Sequence, residues 1–140
     1  MLDGLFVTPA VTAIVEALGS AKADGRLAVI GNAKLATAMA AHYKVVPIGL
    51  SARAAKKHPN ALPDVSSLAH GALAAVIAVD VTTVDPEWSR VVRDGGVIVF
   101  VDRGHAARAS RRAMCSGLTE IEQRHAGRTV ITSGLVSHLG

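Results

Sequence analysis

The run Ala72-Leu-Ala-Ala-Val-Ile-Ala-Val79 places eight apolar residues in a row and stops at Asp80. A strand with one wet face alternates apolar and polar side chains, whereas an unbroken run must be covered on both faces, as at the centre of a parallel sheet. Val97-Ile-Val-Phe-Val101, ending at Asp102, repeats the pattern. Between the two, Asp85-Pro86-Glu87 opens a helix, with Asp as cap, Pro at the first position and Trp88, Val91 and Val92 facing inward. Asp94-Gly95-Gly96 then turns the chain into the second run. Strand, helix and parallel strand in this spacing form a unit whose crossover is right-handed.

The flanking chain extends the same alternation. Thr8-Pro9 reads as a helix start, followed by Val11, Ile14, Val15 and Leu18 at i, i+3, i+4 and i+7, with residues 19–25 closing the helix. Arg26 to Ile30 is a first strand, Gly31 a tight turn, and Ala33 to His42 a helix with Leu35 and Met39 toward the core. Lys44 to Leu50 is a second strand, and Pro47 within it cannot donate to a ladder, which places the strand at an edge. Ser51 caps a short basic helix through Lys57. Residues 58–71 read as a loop with one helical turn near Val65 to Ala69 and no strand. A helix from His105 to Ser116 is followed by a β-hairpin, Leu118 to Arg124 and Arg128 to Ser133, turning at His125-Ala126-Gly127. The expected fold is a three-layer, doubly wound α/β/α domain spanning residues 1–140, its mostly parallel sheet closed by an antiparallel hairpin.

Half the residues are apolar but only 3% are aromatic, so the core is built from Ala, Val, Leu and Ile, and few side chains remain to stack on a base. No apolar run reaches the roughly 18 to 20 residues of a membrane span, and Met1-Leu-Asp-Gly4 lacks the basic start of a signal peptide. These readings lead to the expectation of a cytoplasmic protein. The lone Cys115 reads as a buried, inert thiol. The formal charge of +4 admits an acidic partner.

With its elements placed, the chain resembles a class I S-adenosylmethionine-dependent methyltransferase domain over about Gly4 to Leu139. Trp88 to Asp102 looks like that family's helix, Gly-Gly turn and fifth strand, and Gly117 to Gly134 is similar to its closing hairpin. In the family's numbering the implied strand order is 2-1-4-5-7-6, with the third strand missing and Pro47 on a newly exposed edge. The resemblance also implies an acid in the first strand, several close glycines after it, and a second acid ending the second strand to bind the ribose. Here Ala28 and Gly49 stand at the two acidic positions, and Gly31 alone remains of the glycines. Each lost polar contact is worth on the order of 1.5 to 3 kcal/mol. The expectation is therefore a chain without a cofactor and not an enzyme: a binding or regulatory module acting through protein contacts, a second copy of itself included. The alternative is a minimal S-adenosylmethionine-dependent methyltransferase completed by a partner subunit.

No catalytic residue and no metal ligand is assigned, since the six histidines and one cysteine have no ligand spacing. Gly31, Asn32 and Lys34, with Asp80, are the candidates for an anion or nucleotide, although Asn32 also reads as an ordinary helix cap. Asp80 and Asp102 end the central strands where α/β ligands bind, as an acid–base pair or as caps of the following turns. Arg108, Arg111, Arg112 and Cys115 follow i, i+3, i+4 and i+7 with Arg103 just before them, a basic stripe opposite Ala106, Ala109 and Ala113. It suits an acidic protein surface or a nucleic-acid backbone, or is simply a solvated face. The edge at Pro47 is a further candidate for pairing with a partner strand.

Overall fold

A computed structural model describes residues 2–20, 25–81 and 83–138, with the side chains of 2–9 and 20 outside the description. Helix α1 (Leu2–Ser20) leads into β1 (Arg26–Ile30), α2 (Ala33–Met39), β2 (Lys44–Ile48), α3 (Ala52–Ala55) and β3 (Leu73–Val79). Helix α4 (Glu87–Val91), β4 (Val92–Arg103), α5 (Ala106–Cys115), β5 (Thr119–Ala126) and β6 (Thr129–Leu135) complete the order. The strands form one sheet in the order β2-β1-β3-β4-β6-β5. The first four are parallel and β6 runs antiparallel to both its neighbours. This is the expected topology, hairpin included.

Strand period decides which face each residue joins. Leu27, Val29, Ala75, Ile77, Val97, Val99 and Val101 meet Ile14 and Leu18 of α1 and Leu35 and Met39 of α2 on one face. Ala28, Val76, Ala78, Ile98 and Phe100 meet Trp88, Val91 and Ala113 on the other. All seven residues of β3 are buried, as its unbroken apolar run requires.

Two local expectations change. Helix α1 begins at Leu2, so Thr8-Pro9 lies inside it and not at its start. The fixed φ of Pro is helical, and its cost is one lost hydrogen bond and crowding of the preceding turn, which leaves a through-going helix open to it. The closing stretch 19–25 falls largely on residues 21–24, outside the described residues. Asp94-Gly95-Gly96 belongs to a bulge within a longer β4, where the register jumps from Leu73↔Val92 to Ala75↔Val97. A Cβ on Gly96 would stand 2.5 Å from Val92 Cγ1 and 2.6 Å from Ala74 O, so only glycine fits.

The edge at β2 is covered, against expectation. Val45 O accepts from Asn60 Nδ2 at 2.8 Å, Pro47 O accepts from Leu62 N at 2.9 Å, and Gly49 N donates to Leu62 O at 3.0 Å. A single parallel bridge between Ile48 and Leu62 is all that remains of a third strand. With Pro47 lacking an N–H and these groups occupied, little of the ladder is left for a partner strand.

Candidate functional site

The chain runs from β1 outward to β2 and then returns across β1 to β3, so the order reverses between β1 and β3. Ligands of open α/β sheets bind in the crevice at the carboxyl ends of the strands beside such a reversal. Gly31 ends β1 there with φ +84°, its N–H donating to Ile48 O at 3.0 Å. A Cβ at Gly31 would lie 3.3 Å from Val79 O, so the glycine lets the turn pack closely against the end of β3. Asn32 caps α2, its side-chain oxygen accepting from Leu35 N at 2.8 Å. Lys34 is exposed on the first turn. On the far wall, Asp80 ends β3 with φ +49°, its N–H donating to Val101 O at 2.8 Å and its side chain exposed. Gly31 and Asp80 thus follow the ends of two paired parallel strands, β1 and β3. At the two positions where the family carries acids, Ala28 is fully buried in the sheet and Gly49 is tied to Leu62.

Asp102 does not pair with Asp80. Its carboxylate is bound by Arg112 NH2, whose other terminal nitrogen donates to Val81 O at 2.8 Å. The Arg112 guanidinium also lies over the Phe100 ring, 4.4 Å from its centroid, and both side chains of the ion pair are only 16% exposed. Its Nε is buried without a hydrogen-bond partner. Arg112 is therefore set inward from the expected basic stripe, while Arg103, Arg108 and Arg111 remain exposed. Cys115 is exposed and not buried, because the helix turns Ala109 and Ala113 to the core and leaves the opposite face to solvent.

Two hollows flank the strand ends. One, of about 480 Å³, is walled by Asp80, Val81 and Asp102 on the sheet side and by Arg108, Arg111 and Arg112 on α5. The other, of about 380 Å³, lies between α2 and α3 and includes Lys34, Arg53, Lys57 and His58. Among the described residues, no group of three or more His, Cys, Asp or Glu side chains is placed to hold a metal ion. Sequence reasoning missed His105, which enters α5 in the left-handed conformation at φ +59°. Gly104-His105 ahead of a helical pattern was the available signal.

No protein-family model matches this chain, and neither does any curated protein sequence. Solved structures do. An S-adenosyl-L-methionine-dependent methyltransferase assignment from Methanococcus maripaludis matches with a TM-score of 0.69 at 10% identity, over 96% of this chain and 87% of that one. A chain in the complex between the Haloferax volcanii Trm112 methyltransferase activator and a methyltransferase matches at 0.64 and 11% identity, over 83% of each. PigF, solved with SAH, matches at 0.61 and 14% identity, over 96% of this chain and 66% of PigF. Of two longer methyltransferases the chain spans 57% and 35%. These neighbours overturn the expectation of a chain without a cofactor: one is described as an S-adenosyl-L-methionine-dependent methyltransferase, PigF was solved with SAH, and a 16S rRNA methyltransferase of T. thermophilus with AdoMet and guanosine. No described helix is long and apolar enough to cross a membrane. The strand order, the terminal hairpin and these likenesses together give the chain a class I S-adenosylmethionine-dependent methyltransferase-like fold, shortened by one strand.

Proposed function

We propose that the chain is a minimal S-adenosylmethionine-dependent methyltransferase that works with a protein partner. The observation that carries this reading is the reversal of strand order between β1 and β3, where Gly31 and the exposed Asp80 follow the strand ends, in a sheet of methyltransferase order. A side chain at Gly31 would crowd Val79 O, and its absence is what lets a ligand approach the backbone. Asp80 offers a carboxylate to a cofactor that carries positive charge, and Asn32 and Lys34 line its entrance. The missing acids at Ala28 and Gly49 leave Asp80 as the principal charged grip. Bound S-adenosylmethionine supplies an electrophilic methyl group on a sulfonium. A partner is supported by the Haloferax volcanii complex, in which a methyltransferase is seen with its activator.

Titration calorimetry with S-adenosylmethionine and S-adenosylhomocysteine tests the reading. Saturable binding is expected, weakened roughly tenfold for S-adenosylmethionine by Asp80→Asn, the loss of one charge-assisted contact. No heat of binding up to about 1 mM ligand would sink it.

A further inference from the structure

Cofactor binding at the β1–β3 crevice leaves the adjoining hollow beneath α5 unexplained. At about 480 Å³ it falls within the range of small-molecule sites. Its charge is distinctly cationic: Arg103, Arg108, Arg111, Arg112 and His105 line it, against Asp80 and Asp102. Asp102 is already neutralised by Arg112, which Val81 O and the Phe100 ring hold in place. Arg108 and Arg111, by contrast, stand one turn apart on the same exposed face of α5, and neither has a hydrogen bond or ion pair with a described residue. Two unpaired guanidinium groups on a concave wall concentrate positive potential in the hollow and present planar donors suited to a phosphate or carboxylate.

The backbone marks the same place. Among the described residues three non-glycine residues have positive φ, and two of them, Asp80 and His105, line this hollow. Left-handed backbone outside glycine costs about 1–3 kcal/mol and clusters where ligands are handled. Asp80 also follows the end of β3 beside β1, so it joins this hollow to the place of the proposed methyl donor.

We infer that this hollow receives the methyl acceptor, and that the acceptor is a small molecule with a phosphate or carboxylate group held by Arg108 and Arg111. The inference rests on the methyltransferase reading for the word acceptor, but the anion site can be tested apart from it. Amide chemical shifts of the full chain would be followed at low ionic strength during separate titrations with inorganic phosphate and acetate. Saturable shifts are expected at residues 80–81 and 103–115. Arg108→Ala with Arg111→Ala should weaken them at least tenfold; both side chains are exposed, so the variant's spectrum elsewhere should match the parent's. The absence of saturable shifts with either anion, or shifts unaltered in the double variant, would overturn the proposal. So would a short single-stranded RNA that binds the same residues, displaces phosphate and loses affinity steeply with salt, since that is the behaviour of a nucleic-acid surface. S-adenosylhomocysteine titrated into the same sample reports separately on residues 31–34. Its failure there would count against the methyltransferase reading, while failure of phosphate alone would count against the acceptor site.

Discussion

Arg112 shows how one residue can belong to a helix by its spacing and to the core by its partners. Its position in the i, i+3, i+4 series with Arg108 and Arg111 puts all three on one face, and sequence alone gives no reason to separate them. What separates them is Asp102 at the end of β4, Val81 O beyond β3, and the Phe100 ring beneath. A charge that is mostly buried is tolerated when it is paired and becomes costly when its partner is removed. Asp102→Asn is therefore expected to destabilise the fold by about 2–4 kcal/mol. Asp102→Leu combined with Arg112→Met should recover most of that loss, because a well-packed apolar pair replaces a buried ion pair at little cost. Urea unfolding of the single and double variants gives the comparison; equal losses in both would refute it.

At the scale of elements, the segment between β2 and β3 is the part that sequence described least well. It has neither a strand pattern nor a long helix, yet the structure pins it at both ends. Asn60 and Leu62 cover the β2 edge, and Arg90 of α4 reaches back to hold Leu68 O at 2.9 Å while its Nε binds Glu87 at 3.0 Å. The side chain of Arg90 is 20% exposed, so this clamp is partly shielded from water. Hydrogen bonds to a charged donor contribute on the order of 1.5–3 kcal/mol. Arg90→Ala should lower stability by about that amount and accelerate amide exchange at Leu68 and Gly71, leaving β3 and β4 protected. Uniform loss of protection across the sheet would show that Arg90 supports the whole core and not the segment. The side-chain cap expected at Ser51 forms, because a cap is a local hydrogen bond, Ala54 N donating to Ser51 Oγ at 3.2 Å, but the helix ends at Ala55 and not at Lys57.

For the molecule as a whole, the reversal of strand order places a ligand crevice at one end of the sheet, and occupancy of that crevice ties β1, α2 and β3 together. A ligand that binds only the folded chain stabilises it by an amount set by its concentration relative to Kd, about 2.7 kcal/mol at 100 times Kd. S-adenosylhomocysteine should therefore raise the melting temperature progressively with concentration, and Asp80→Asn should require more of it for the same rise only if Asp80 contributes to the homocysteine end; scanning calorimetry reads both. A melting temperature indifferent to ligand would argue against the crevice. The sequence by itself determined the layered α/β fold and the terminal hairpin, because unbroken apolar runs must be buried on both faces and crossovers have one hand, while the strand order followed from the resemblance to methyltransferase domains. It also determined that Gly31 and Asp80 end the strands at the reversal. Only the tertiary structure decided that Leu62 and Asn60 cover the β2 edge, that Asp102 neutralises Arg112, and that Asp80 and His105 meet across one hollow. Those pairings join residues distant in the chain, and their geometry depends on side-chain packing that no local pattern encodes.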